Sequence, residues 1–78
     1  MTKEECAKVM AVKLELNYNT FSRSDKLKRD LVDINIKYGQ DDNFWGIVDK
    51  YCNELKACKG EKPRWARMLM AEKYSLNV

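Results

Sequence analysis

The sequence predicts an all-α fold, a single domain spanning residues 1–78, built as a small bundle of four short helices with the third helix central. Three observations carry that expectation. First, between Asp41 and Cys58 the residues Phe44, Val48, Tyr51, Cys52, Leu55 and Cys58 recur at steps of three and four. That spacing stacks them on one side of a 3.6-residue helix, with Asp49, Lys50, Asn53, Glu54 and Lys56 on the other. Second, 45% of the 78 residues are apolar and 35% charged, a balance that favours a folded domain over disorder. Third, three glycines and one proline are too few turn residues for many short strands.

The first helix is announced by Thr2-Lys3-Glu4-Glu5, a capping box, and should run to about Asn17. Ala7, Met10, Ala11, Leu14 and Tyr18 form its main stripe, and Val9, Val12 and Leu16 broaden it. That is more apolar surface than one neighbour covers. Either the helix is gripped on two sides, or Val9, Val12 and Leu16 form a face for a partner helix or for self-association. Asn17 to Phe21 reads as a loop. Ser22 or Ser24 can cap the second helix, Phe21 can staple its start, and the helix should cover Ser24 to Lys37. Leu27, Leu31, Ile34 and Tyr38 make its stripe, with Val32 and Ile36 on the flank. Asp33 to Tyr38 also alternates as a strand would, but a lone strand has no pairing partner here.

Gly39 to Asp42 is the second turn, and Asp41 or Asp42 can cap the third helix. Gly60 is placed to stop that helix and Pro63 to start the fourth, which should end near Tyr74. In the fourth helix Trp65, Met68 and Leu69 should face inward, while Arg64, Arg67 and Lys73 stay wet. Ser75 to Val78 should fray.

The chemistry of catalysis is thin. Without histidine the commonest general base and metal ligand is missing. Cys6, Cys52 and Cys58 are odd in number and at no metal-site spacing, and they read as buried free thiols of a reducing cytosol. Cys6 follows two glutamates, which raise a thiol pKa. No phosphate-gripping glycine loop occurs, and the paired carboxylates Glu4/Glu5 and Asp41/Asp42 sit at helix starts, where capping accounts for them. The expectation is a protein that is not an enzyme, takes no cofactor or metal, and resides in the cytoplasm. No apolar run reaches 18 residues and the amino terminus has no signal-peptide core, so no membrane span is expected.

Binding remains. Residues 56–78 carry six Lys/Arg against two Asp/Glu, whereas residues 1–55 carry nine against ten. Lys59, Lys62, Arg64 and Arg67 surround Trp65, so the fourth helix and its turn form one candidate surface. Nucleic acid is a possible partner there, through residues 59–73 used as a helix-turn-helix-like DNA regulator uses its second helix. The preceding Lys-Gly-Glu-Lys-Pro turn is longer than that motif's, and the same charges suit an ordinary wet face.

The opening MTKEECAKVMAVKLELNYNTF resembles the phage replicative-helicase loader and inhibitor family, whose members begin with T-K-E-E, an apolar helix and an aromatic "Y-P-x-F" loop. Tyr18 and Phe21 match that loop, and Asn19 stands where the proline would. Leu27 to Tyr38, Asp41-Asp42, Phe44-Trp45 and Lys62-Pro63 echo the order of the family's later elements. The resemblance implies a helical bundle that binds a replicative helicase or its loader, holding the helicase inactive and delivering it to an origin-binding protein. Two departures stand out. The family's Trp-Tyr in the second helix reads Asn35-Ile36, followed by Tyr38, and its flexible carboxyl tail has no counterpart before Val78. A third reading is therefore a phage host-takeover or anti-defence inhibitor acting on some other protein. Oligomeric state is left open.

Overall fold

The first three helices begin where a side chain satisfies a free backbone N–H. A computed structural model describes residues 1–16 and 24–76. In it, α1 (Lys3–Glu15) starts with the Glu5 N–H donating to Thr2 Oγ1 at 3.1 Å. The α2 helix (Asp25–Tyr38) starts with the Leu27 N–H donating to Ser24 Oγ at 3.2 Å. Asp41 caps α3 (Asp42–Ala57), accepting from the N–H groups of Asn43 and Phe44. These caps fill part of the orphan donor set of each first turn. A fourth helix, α4 (Arg64–Met68), widens into a π-helical turn at Leu69–Lys73. No strand occurs among the described residues, and Asp33 to Tyr38 is helical. The loop expected at Asn17–Phe21, with Tyr18, the Phe21 staple, the Ser22 cap, and the ends Asn77 and Val78, lies outside the described residues.

Packing centres on α1 against α3, the most extensive contact between elements. The α3 stripe is as its spacing requires, with Phe44, Val48, Tyr51, Cys52 and Leu55 buried. This helix also reaches both remaining helices. Phe44 stacks on Tyr38 of α2 at 5.0 Å, and Tyr51 meets Trp65 of α4 edge-on at 5.2 Å. In α1, Cys6, Ala7, Val9, Met10, Ala11 and Val12 are all buried. At 100° per residue they cover most of the helix circumference, so α1 is gripped on more than one side. Val9 is 0% exposed and Val12 1%, and the partner face expected at Val9, Val12 and Leu16 is corrected accordingly. The first two are interior, and Leu16 is half-buried against the core. Leu14, by contrast, is exposed, one turn beyond Met10 where none of the described residues covers it.

The α2–α3 turn is held closely. A Cβ on Gly39 would collide with the Asn35 carbonyl oxygen, the Gly39 carbonyl accepts from Trp45 Nε1 at 3.0 Å, and Lys3 reaches Asp41 at 2.7 Å. The α3–α4 turn needs its glycine for another reason. Gly60 has φ +116°, which a side chain disfavours, although α3 has already ended at Ala57.

The carboxyl end departs from expectation. Ala66, Met70, Tyr74 and Leu76 are buried, while Trp65 and Leu69 are half-buried and Met68 is exposed. Ala66, Met70 and Tyr74, four apart, share one side of the helix, and the wider π turn at Leu69–Lys73 keeps that spacing nearly in line. Met68 lies about 160° round from Ala66 and so points outward. Nor does the chain fray directly after Tyr74. Ser75 takes a left-handed φ of 55°, and the Leu76 N–H donates to the Met70 carbonyl at 2.7 Å, sealing the helix end.

Candidate functional site

The surface that remains for recognition around the basic end is the outer side of α4 with the turn before it. Pro63 fixes φ at −56° ahead of the helix, and its carbonyl accepts from the N–H groups of Ala66 and Arg67, both at 3.1 Å. Ala66 anchors the inner side, so Arg64, Arg67 and Met68 project outward. Met68 is 42% exposed. Lys59 is exposed and Lys62 half-buried. The structure brings Arg67 beside Lys62 at one depression and beside Arg64 at another, does not bring Lys59 to either, and leaves Val9 and Val12 in the interior.

The charges there are not all free. Arg67 Nη1 donates to Glu61 Oε1 at 2.7 Å, a pair exposed on both sides and of little net stabilising value. Around α4 lie three open depressions. One of about 510 Å³ has Met70, Ala71 and Leu76 for its floor and Lys62, Glu61 and Arg67 at its rim. A second, of about 330 Å³, lies between Arg64, Arg67 and Met68. A third, of about 420 Å³, lies where Trp65, Met68 and Leu69 meet Lys8 and Lys73 of the surrounding surface.

Trp65 is set by two contacts. Its Nε1 donates to Glu54 Oε1 at 3.0 Å, and its ring abuts Tyr51. Lys8 lies 5.4 Å from the Tyr51 ring centre and 5.9 Å from that of Trp65, so α1 contributes a cation to the same corner. Beneath it, Tyr51 donates its hydroxyl to Glu4. That bond, aided by Lys50 and Lys8 and opposed by partial desolvation, holds the Glu4 carboxyl below its ordinary range. Burial first, and Glu4 second, push Tyr51 up to about 12. On the other side of the core Tyr74 donates to Asp30 at 2.8 Å, and burial with that bond raises its pKa as well. Both phenols are structural donors locked in the neutral form.

The thiols fit the same picture. Cys6 and Cys52 are buried and Cys58 half-buried, all three unbridged. Burial is the leading cause that raises the thiol pKa of both Cys6 and Cys52, and a protonated thiol is a poor nucleophile. Among the described residues no three His, Cys, Asp or Glu side chains converge as a metal site, and no helix is long and apolar enough to cross a membrane.

Sequence reasoning missed Met68 as a surface residue and Lys8 as part of the Trp65 corner. Met68 points outward because Ala66, about 160° away on the same helix, takes the inner side, and a small alanine gives a weak signal for that place. Comparison with known protein families, characterised proteins and solved structures finds no match to this chain.

Proposed function

We propose that this chain is a phage or prophage accessory protein that acts by binding a replication protein, the replicative helicase or its loader, and that it performs no chemistry of its own. The observation that carries the binding reading is the outer side of α4. An exposed methionine lies beside Arg64 and Arg67 and borders two open depressions, a mainly apolar one shared with Trp65 and Leu69 and a more polar one shared with the arginines and Glu72. An apolar centre with a polar and cationic rim is the usual anatomy of a protein-binding patch. The identity of the partner rests on the resemblance of residues 1–21 to helicase loaders and inhibitors, with which an all-helical bundle is compatible.

Binding of purified chain to a purified hexameric replicative helicase, and separately to its loader, tests this, with ATPase and strand unwinding as readouts. The expected outcome is a saturable complex and slowed unwinding, with Met68→Asp weakening the complex at least about tenfold. Met68 is exposed, so that variant keeps its fold.

DNA binding through residues 59–73 is the competing outcome. Its support is the net positive charge of residues 56–78. Against it stands the change to π geometry at Leu69–Lys73, which leaves only five residues, Arg64–Met68, in the regular α-helical form that fits a major groove. Affinity for duplex DNA that falls steeply with salt, together with no complex with either protein, would replace the first reading by this one.

A further inference from the structure

The largest of the three depressions beside α4 is not lined by Met68 or Trp65 and stands apart from the protein-binding patch. Two turns of the backbone build it. Gly60, at φ +116°, swings the α3–α4 turn past the helix without a side chain of its own. Ser75, at a left-handed φ of 55°, folds the carboxyl end back, so that the Leu76 N–H reaches the Met70 carbonyl at 2.7 Å. Gly60 to Lys62 and Leu76 therefore line one depression together with Met70 and Ala71 of the π turn.

Its chemistry is simple. A volume of about 510 Å³ with a mainly apolar lining is that of a small-ligand site, in which a few polar groups fix the orientation of an apolar guest. The charged groups are Glu61, Lys62 and Arg67, a net +1. Glu61 is already taken by Arg67, whose Nη1 donates to it at 2.7 Å. Among the described residues Lys62 is in no ion pair, and it is half-buried where Glu61 and Arg67 are exposed. One unmatched ammonium over an apolar floor is neutralised by one negative charge on an apolar stem. A dianion overcharges it, and a cation meets Lys62.

We propose that this depression binds a small aliphatic monocarboxylate, with its stem on Met70, Ala71 and Leu76 and its carboxylate against Lys62. A lysine suits that role, because its compact charge holds a carboxylate without the fixed fork that an arginine imposes. The Arg67–Glu61 pair stays closed and forms part of the rim. The site is open to solvent on one side and its guest is small, so the dissociation constant is on the order of 1 mM. The proposal does not rest on the protein-binding reading of Met68.

Titration of sodium octanoate into the isotope-labelled full chain, followed by amide shifts at constant ionic strength, reads the site directly. Octanamide supplies the same stem with a neutral head, and acetate the same head with almost no stem. The expected result is saturable shifts centred on residues 60–62, 70–71 and 76, with octanoate at least about threefold tighter than octanamide. Lys62→Gln should remove that preference and leave octanamide binding unchanged. Ala71→Trp, at an exposed position, should fill the depression and weaken both probes at least about fivefold. Circular dichroism checks that each variant keeps its helices, and the octanamide comparison stands on the natural chain alone. Several results overturn the proposal: no saturation by about 20 mM octanoate, equal affinity for octanamide, or acetate shifts as large as those of octanoate. A preference for octanoate that survives Lys62→Gln does so as well, as do shifts of equal midpoint around the exposed Val32 and Ile36 of α2.

Discussion

At the residue scale the tyrosines tie distant parts of the chain together. Tyr51 joins α3 to the first turn of α1 through Glu4, and Tyr74 joins the carboxyl end to α2 through Asp30. Tyr51 has an ordinary pKa of 10 and a folded value pushed up to about 12. Its contribution is therefore fully present below pH 10 and is lost as pH rises through about 12. Denaturant midpoints between pH 9 and about 12 should fall more steeply for the natural chain than for Tyr51→Phe. The acid side runs the other way. Glu4 and Asp41 are both depressed, by Tyr51 and by Lys3 respectively as the leading causes. What they contribute is present above their ordinary values and is lost as pH falls through the lowered ones. Leu55→Ala, which removes a fully enclosed side chain between α3 and α1, should cost about 2–5 kcal/mol by chemical denaturation.

At the element scale, helices with a cap and an unbroken period were legible, and the one that changes its period was legible only in part. Thr2, Ser24 and Asp41 each mark a start, and each accepts the N–H that its position implies. Ser24→Ala should therefore lower stability by about 1 kcal/mol, read from the thermal midpoint. The α3 stripe was readable residue by residue because it is regular from Phe44 to Leu55. In the carboxyl-terminal helix Trp65 and Leu69 do pack against the core, but Met68 does not, and the innermost places go to Ala66, Met70 and Tyr74, a stripe that a small alanine leaves faint in the sequence. Excess apolar surface on α1 was visible too. Its destination was not, since sequence alone does not distinguish a helix enclosed by its neighbours from one that offers a side to a partner.

For the whole molecule, enclosure separates the three cysteines. A thiol reagent such as Ellman's should label Cys58 quickly in the native chain, and Cys6 and Cys52 only at the rate of opening. Denaturant should expose all three. Equal rapid labelling of the three thiols without denaturant would contradict the packing of α1 against α3. The exposed surfaces divide in the same way. The basic end was legible from charge alone, whereas the outward side of α2 needed the helix's true orientation before Val32 and Ile36 could be told from core.

The enclosure of α1 also has a consequence for biosynthesis. The segment that ends at Glu15 emerges from the ribosome about forty residues ahead of the helix that lies along it, which ends at Ala57. At about 5–20 residues per second its greasy circumference stays uncovered for on the order of seconds. The nascent amino terminus is thus the part of this small protein most in need of a chaperone, and a stalled ribosome halfway along the message would leave it sticky.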